Sequence, residues 1–228
     1  MPFRFDERGV YRCADWERLD WLDHGFGTRQ SEQWLPEDES ADLKQIHSGV
    51  IVRAKAPMHR ACEGDALVTN TPGLWIRIRT ADCLPVLLVD VRKRVVGAAH
   101  CGWRGTKLGL AAATLRRMGE EFGSEPADVR AAIGPGIGLC CFEVGGEVAR
   151  EFRQVFPERA DLEGRTKIDL ADALQRQLLG IGLPREQIIR SELCTRCEEK
   201  LFHSFRRDRE AAGRMESGVR IKGTVAPE

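Results

Sequence analysis

The sequence predicts an α+β fold with mixed β-sheets, because three patterns along the chain agree. Strand-like runs outnumber amphipathic helical stripes and interleave with them irregularly. The runs 84–89 and 95–100 are continuously apolar, which is typical of strands covered on both faces. Residues 74–79 alternate apolar and basic side chains, which indicates a strand with one buried face. We therefore expect helices on the outer faces of the sheets.

Further segments are predicted as strands because apolar and β-branched residues dominate them. In chain order, the full set of predicted strands is 49–54, 64–69, 74–79, 84–90, 94–101, 128–133, 188–194, 201–206 and 218–222. The charged run 36–42 is expected to be a solvated loop.

Three segments are predicted as helices because their apolar side chains recur at helical spacing. Segments 106–122 and 143–156 each place such residues on one stripe. A third helix is predicted to start at Asp169, which is a good N-cap residue, and to be ended by Gly182 and Pro184.

Length and composition limit the function classes. The 228 residues can form one large domain or two small ones, and a chain of this size buries roughly 70% of its unfolded surface. The formal net charge of +0 leaves no basic excess for nucleic-acid binding by counterion release. No apolar run reaches the roughly 18 residues that span a bilayer, and the charged N-terminal segment lacks the apolar region of a secretory signal. We expect a cytoplasmic protein without nucleic-acid or membrane partners.

The chain contains eight cysteines, which a reducing cytosol would keep as thiols. Cys13 and Cys62 have no helpful neighbours and are expected to be small buried hydrophobic residues. The motif Cys194-Thr-Arg-Cys197 could be half of a zinc ribbon or a redox pair. The pair Cys140-Cys141 lacks the spacing of a second zinc knuckle, so Cys197 is interpreted as incidental.

Two imidazoles and one thiol are the most informative side chains of the sequence. His47, Cys83 and His100 each lie at the edge of a strand-like segment, and together they have the ligand types of an open zinc site. Their wide spacing alone is weak evidence. Each residue taken singly is also compatible with a hydrogen-bonded histidine or a packed thiol.

An anion pocket is predicted beside His100. This residue leaves an apolar strand directly into a glycine-rich turn before the helix predicted at 106–122, and a helix start with Arg104 beside it suits an anion. The alternative is an ordinary strand-to-helix turn. Further arginines lie next to strand-like segments, where a guanidinium group suits bidentate recognition of phosphate or a plain salt bridge. These candidates are Arg29, Arg79, Arg104 and Arg206.

A series of short motifs follows in order along nearly the whole chain. They are His24–Arg29, Gln45–His47, Gly64–Val68, Thr80–Pro85, Ala99–Gly105, Ile133–Pro135, Cys141–Val144, Leu193–Thr195, Ser204–Asp208 and Gly213–Met215. In this combination the chain resembles the YfiH-like proteins, also called the laccase-domain or polyphenol oxidase family. That family includes purine nucleoside phosphorylases and the peptidoglycan editing factor.

The resemblance implies a four-layer α/β/β/α sandwich with mixed sheets, formed by residues 1–228 as a single domain, and we expect a monomer. It implies a metal site, usually zinc, made by the residues that match His47, Cys83 and His100. It also implies phosphorolysis of adenosine, inosine and methylthioadenosine, with adenosine deaminase activity, so the partners are a purine nucleoside and phosphate. The residues expected to bind substrate or phosphate are Arg29, Gln45, Asp65, Arg79, Arg104 and Arg206.

The resemblance leaves the metal and the proton-transfer group to be assigned. Copper and laccase activity are also attached to the family, but five histidines are too few for a multicopper cluster. Zinc is therefore the expected metal, with copper as the alternative. Asp82 is expected to be catalytic with Cys83 and His100, and Asp82 or Asp65 is the candidate proton shuttle by proximity in sequence.

Two positions depart from the family pattern. Residue 136 is glycine where the family often has cysteine, so Gly136 is not expected to have a direct chemical role. Residue 101 is cysteine where the family more often has alanine, so Cys101 could interfere with cysteine labelling next to the metal site.

Two other function classes remain open from the sequence. Cys83 could be the nucleophile and His100 the base of a cysteine hydrolase that cleaves an amide of a peptidoglycan precursor. The domain could instead be a non-enzymatic zinc-binding regulatory protein, in which the metal only supports the structure.

Overall fold

The computed structural model describes residues 2–31 and 33–223, and most of its regular structure is β-sheet. Its strands are β1 Phe3–Phe5, β2 Val10–Cys13, β3 Leu22–Gly27, β4 Ser40–Lys44, β5 Ile51–Arg53, β6 Met58–Glu63, β7 Ala66–Thr69, β8 Trp75–Thr80, β9 Leu84–Asp90, β10 Val95–Cys101, β11 Val129–Ile133, β12 Glu143–Val144, β13 Thr166–Lys167, β14 Ile188–Arg190 and β15 Met215–Ile221. Its helices are α1 Trp103–Lys107, α2 Leu110–Phe122, α3 Gly146–Ala149, α4 Leu170–Gly180 and α5 Phe205–Asp208.

Two large mixed sheets form the frame. The seven-stranded sheet has the order β1-β2-β3-β15-β8-β4-β6, and the six-stranded sheet has the order β14-β11-β9-β10-β7-β5. Both contain parallel and antiparallel pairs, and β12 and β13 form a separate small ribbon. The predicted α+β fold class with mixed sheets is therefore confirmed.

The two sides of β9 explain its continuous apolar run. Val86 and Leu88 belong to a hydrophobic core that also contains residues of α2 and α4. Leu87 and Val89 alternate with them and belong to a second core, shared with Phe26 and other residues of the seven-stranded sheet. Because successive side chains of a strand point to opposite faces, a strand between two cores must be apolar throughout.

Strand β8 follows the predicted alternation. Ile76 and Ile78 are fully buried in the core between the sheets. Arg77 lies on the other face and is nevertheless buried, because it pairs with Asp42 at 3.3 Å and with Glu216 at 3.4 Å. A buried guanidinium requires such partners.

Some predicted elements are wrong for local physical reasons. The helix predicted at 106–122 begins earlier, at Trp103, and breaks at Gly109, whose φ of 68° is left-handed. Segment 143–156 is not one helix, because β12 and the extended Gly145 precede α3 and a 3₁₀ turn over Arg150–Phe152. Segment 201–206 is not a strand, since Ser204 caps α5 with its side chain.

The sequence also missed short or polar strands. Residues 40–42 were expected in a solvated loop, but they are buried in β4. β1, β2, β3 and β6 were not predicted. The predicted single domain over 1–228 includes Met1, Glu32 and 224–228, which lie outside the described residues, and it stays a prediction. Across the described part of the chain, every helix is too short or too polar to cross a membrane.

Replacement of Asp169 by alanine is expected to destabilise the protein by about 1 kcal/mol, because its carboxylate accepts a hydrogen bond from the Asp172 amide at 3.0 Å at the N-terminus of α4. Urea unfolding of the wild type and the variant measures the difference. Asp169→Asn is the control, since it retains the capping oxygen but not the charge. An alanine variant as stable as the wild type would contradict the assigned cap.

Candidate functional site

A cavity of about 750 Å³ opens where β4, β8 and β10 end and β9 begins. Eight of the predicted site residues line it: Gln45, His47, Arg79, Asp82, Cys83, His100, Arg104 and Arg206. A cavity of this size is in the range of small-molecule binding sites.

The three predicted metal ligands converge in this cavity. Donor atoms of His47, Cys83 and His100 all lie within 4.8 Å of one another. The Sγ atom of Cys83 is 3.8 Å from Nε2 of His47, and the two imidazole rings are 4.9 Å apart at an angle of 62°. A zinc ion that lies about 2.0–2.3 Å from each ligand fits between atoms at such separations. Three protein ligands of this kind leave a coordination position open.

The buried carboxylate of Asp65 fixes two of these ligands. Nδ1 of His100 donates to Oδ1 of Asp65 at 2.8 Å, which leaves Nε2 as the imidazole nitrogen available to the cluster. The same carboxylate accepts the backbone amide of His47 at 3.0 Å and the hydroxyl of Ser48 at 2.7 Å. Asp65 is fully buried and does not line the cavity, so it acts behind the ligands, as carboxylates often do behind metal-bound histidines.

The thiol and the imidazole of the cluster shift each other's ionisation. Burial opposes ionisation of Cys83, but hydrogen bonds from His100 and His47 lower its pKa to about 6. Burial would lower the pKa of His100, but Asp65 and Cys83 raise it to about 9. Burial also opposes the charge on Asp65, while His100 and Ser48 lower its pKa to about 2. Near neutral pH the group is therefore a thiolate, an imidazolium and a carboxylate.

Asp82 joins three segments of the chain at the cavity wall. Its carboxylate accepts the Thr195 hydroxyl at 2.7 Å and the Arg206 amide at 2.6 Å, and its carbonyl accepts the Ile137 amide at 2.7 Å. Its φ of 86° is left-handed, as is the φ of 59° at His47. Non-glycine residues adopt this conformation when surrounding contacts hold them there, often at functional sites.

Gln45 is occupied by the backbone of Arg79. Its side-chain Nε2 donates to the Arg79 carbonyl at 2.8 Å, and its Oε1 accepts the Arg79 amide at 2.9 Å. These two hydrogen bonds attach the segment after β4, which leads to His47, to the end of β8. The Arg79 guanidinium donates to Glu216 at 2.8 and 3.0 Å.

The predicted arginines fall into two groups. Arg79, Arg104 and Arg206 line the cavity, whereas Arg29 lies in a neighbouring cavity of about 360 Å³ with Arg79 and Arg214. Several other residues that line the cavity were not predicted, because they lie far apart in the sequence. They include Arg60, Trp103, Phe142, Phe205 and Arg214.

The other cysteines correct the sequence interpretation. Cys13 is buried as expected, but Cys62 is exposed. Cys101 is fully buried in the core that β10 shares with α2, so it is shielded from labelling reagents. Cys197 was interpreted as incidental, but its Sγ lies with those of Cys194 and the pair Cys140-Cys141 in a second group within 4.8 Å.

Known proteins are similar to this chain in sequence and in fold. Residues 28–222 match the family described as multi-copper polyphenol oxidoreductase laccase. Over 180 residues the chain is 42% identical to a Deinococcus radiodurans protein named purine nucleoside phosphorylase, covering 78% of this chain and 68% of that protein. Over 166 residues it is 39% identical to adenosine deaminase RL5 of an unknown prokaryotic organism, covering 70% and 63%.

A solved structure agrees with the fold over almost the whole chain. The crystal structure of the hypothetical protein YfiH from Bacillus licheniformis superposes with a TM-score of 0.87 at 29% identity, and the match covers 97% of this chain and 99% of that one. The predicted resemblance to YfiH-like proteins is confirmed, and so is the fold that it implied.

Gly102→Ala is expected to weaken zinc binding by roughly 10- to 100-fold, the usual effect of disturbing the surroundings of metal ligands. A Cβ at this position would lie 2.7 Å from Sγ of Cys83 and 3.2 Å from Cδ2 of His47. Competition with a chromophoric chelator measures the affinity. Gly180→Ala in α4 is the control, because a Cβ there meets nothing within 4 Å. Equal affinities in all three proteins would argue against this cluster as the metal site.

Zinc affinity is expected to rise with pH between about 6 and about 9. The bound metal needs a thiolate at Cys83 and a neutral His100, whose pKa values are about 6 and about 9. Binding in this range must displace the proton of His100, and below about 6 it must also displace that of Cys83, so the affinity falls as the pH falls. Chelator competition across a pH series measures the slope; a flat profile would contradict the ion pair.

Proposed function

We propose that this chain, which belongs to the family described as multi-copper polyphenol oxidoreductase laccase, is a zinc-dependent purine nucleoside phosphorylase that also deaminates adenosine. The proposed nucleosides are adenosine, inosine and methylthioadenosine. The carrying observation is the convergence of His47, Cys83 and His100 in a cavity lined by arginine and aromatic side chains. The names of the two relatives, a phosphorylase and a deaminase, support the same assignment.

The donor set favours zinc over a multicopper centre. His47 and His100 are the histidines of the cavity, whereas Nε2 of His24 accepts a hydrogen bond from the Cys13 amide and His59 lies beside Asp42. Two imidazoles and one thiolate suit a single zinc ion. When bound, such an ion would act as a Lewis acid and lower the pKa of a coordinated water.

Arginine side chains would bind the phosphate. In the described residues, the side chains of Arg60 and Arg104 donate no hydrogen bond and form no ion pair within the protein, and both line the cavity. The Arg104 guanidinium stacks on the Trp103 ring at 4.4 Å, which holds it without consuming its donors. Guanidinium groups with free donors suit a phosphate that attacks the ribose C1′. Arg79 and Arg206 also line the cavity and would add positive charge near the phosphate while keeping their hydrogen bonds to Glu216 and to the Glu143 carbonyl.

Aromatic side chains would hold the purine. Phe142 and Phe205 line the cavity, and the Phe205 side chain is 41% exposed although it is apolar. An aromatic face open to a cavity suits stacking with a planar base. The Arg206 guanidinium lies 5.5 Å from the Phe142 ring and fixes this side of the cavity.

The chain's acidic residues would control protons in different ways. Asp65 holds the proton on Nδ1 of His100 and thereby directs Nε2 into the cluster. Both carboxylate oxygens of Asp82 already accept hydrogen bonds, which favours a role in holding the wall. A catalytic role for Asp82 stays a prediction.

A cysteine hydrolase is the second candidate, and one observation favours it. Cys83, His100 and Asp65 form a relay of thiolate, imidazolium and buried carboxylate, as in a nucleophile–base–orienting group arrangement. His47 has no place in that arrangement, whereas it completes a metal site. The phosphorylase proposal therefore explains one more residue of the cluster.

Incubation of the purified protein with adenosine, with and without phosphate, tests the proposal. We expect ribose 1-phosphate and adenine with phosphate, and inosine from deamination; chromatography with mass spectrometry identifies the products. Cys83→Ala should lower kcat/KM by at least about 100-fold through loss of the metal ligand. Cys62→Ala, at an exposed cysteine outside both cysteine groups, is the control.

Chelation separates the candidate functions. Loss of activity on chelation and its return with zinc would support the phosphorylase. Cleavage of a peptidoglycan-precursor amide by the metal-free protein would favour the hydrolase instead. Full activity of a folded Cys83→Ala variant would contradict both enzymes, and no turnover of any substrate by the zinc-loaded wild type would favour a binding protein.

A further inference from the structure

A second group of thiols lies near the cavity and outside the catalytic cluster. The Sγ atoms of Cys140, Cys141, Cys194 and Cys197 all lie within 4.8 Å of one another. Three of their separations are 3.6 Å for 140–141, 3.7 Å for 140–197 and 3.4 Å for 141–197. A tetrahedral zinc ion with Zn–S bonds of about 2.3 Å has sulfur atoms roughly 3.8 Å apart. The separations thus match thiolates arranged around a common ion.

Two tight turns present these thiols to one point. In the first turn, the amides of Cys141 and Phe142 both donate to the Gly138 carbonyl, at 2.9 and 3.0 Å. In the second, the amides of Cys197 and Glu198 donate to the Cys194 carbonyl, at 3.1 and 2.9 Å. The second turn is a Cys-x-x-Cys knuckle of the kind that zinc sites use.

A backbone bridge joins the two turns. Gly136 and Cys194 form a parallel β-bridge, in which the Thr195 amide donates to the Gly136 carbonyl at 2.9 Å. The fold therefore supplies the second half of the site, which the adjacent pair Cys140-Cys141 did not reveal by spacing. The register of this bridge sets which thiols face each other.

Hydrogen-bond donors around the group suit negatively charged sulfur. The Gly138 amide donates to Sγ of Cys194 at 3.2 Å, and Nη1 of Arg196 donates to Sγ of Cys141 at 3.5 Å. Nη1 of Arg207 in turn donates to the carbonyls of Thr195 and Arg196, which holds the knuckle in place. Donors of this kind orient metal-bound thiolates and offset their charge.

We propose that Cys140, Cys141, Cys194 and Cys197 bind a second zinc ion in a closed, four-thiolate site that fixes the wall of the cavity. Soft thiolate ligands in a tetrahedral set select zinc, and four protein ligands leave no position for substrate. The thiols release their protons when the metal binds, and no oxidation is involved. This site lies outside the proposed activity and does not depend on it.

The position of the site explains what it would stabilise. Thr195, next to Cys194, holds the Asp82 carboxylate, and Phe142, next to Cys141, lines the cavity. Ile137 also lines the cavity and donates to the Asp82 carbonyl. One ion that ties both turns would therefore hold three wall residues in register.

Metal analysis of the full-length protein tests this proposal. We expect about two zinc ions per chain in the wild type, and about one in Cys140→Ser and in Cys197→Ser, whose thiols are exposed. The control Cys62→Ser, at an exposed cysteine outside the group, should keep about two. Circular dichroism verifies that each variant is folded. Unchanged zinc content in the folded cysteine variants would overturn the proposal.

A variant in the cluster of His47, Cys83 and His100 tests the proposal without changing any of the four cysteines. His47→Ala should retain about one zinc ion per chain, and cobalt substitution of this variant should give the intense sulfur-to-metal charge-transfer absorption of a four-thiolate site. Loss of all zinc from His47→Ala would overturn the proposal. Wild-type cysteines that alkylate only after reduction would also overturn it, since the group would then be disulfide-bonded.

Discussion

The geometry of the candidate active site depends on one buried carboxylate. Asp65 lies immediately before β7, is inaccessible to solvent and receives hydrogen bonds from the loop at His47 and from His100 on β10. A buried carboxylate is stable only when its oxygens are satisfied, so these contacts cannot be lost singly without a large cost. Its lowered pKa, about 2, keeps it ionised at all ordinary pH values. The loop at His47 can therefore hold a left-handed residue, and His100 keeps one tautomer.

Asp82 has a similar role at the wall of the cavity. Its three partners come from the segment after β11, the knuckle at Thr195 and the start of α5. Each of these segments is short, and the contact with Asp82 adds to the segment's own backbone hydrogen bonds. A single acidic residue with positive φ therefore organises three loops, just as Asp65 organises a loop and a strand. Two carboxylates with satisfied oxygens therefore hold the irregular segments that surround the cavity.

Sequence patterns predicted the elements that burial alone determines. β9 and β10 were predicted because both of their faces meet a core, and the N-cap at Asp169 was predicted because capping is local. The apolar stripe at 143–156 was misleading, since packing on α4 and the β12–β13 ribbon requires apolar residues without requiring a helix. The ligand set was suggested by the two imidazoles and the thiol at strand edges, and the family resemblance supported it. The cavity arginine Arg60 and the four-cysteine group were missed, because their proximity depends on strand register and on a bridge between distant segments.

The surroundings of Cys83 bear on whether its thiol binds a metal or attacks a substrate. A nucleophilic thiolate needs one base and an open approach to its sulfur. Here two imidazoles contact the sulfur, and the backbone of Gly102 lies so close that a methyl group would meet it at 2.7 Å. The second imidazole, that of His47, also lowers the pKa of the Cys83 thiol, but a nucleophile–base pair needs only one imidazole. His47 is, however, the third ligand that a zinc ion needs, and the carboxylate behind His100 is the support that zinc-bound histidines commonly have. The left-handed conformation at His47 therefore supports the proposed metal site more than a nucleophile–base pair.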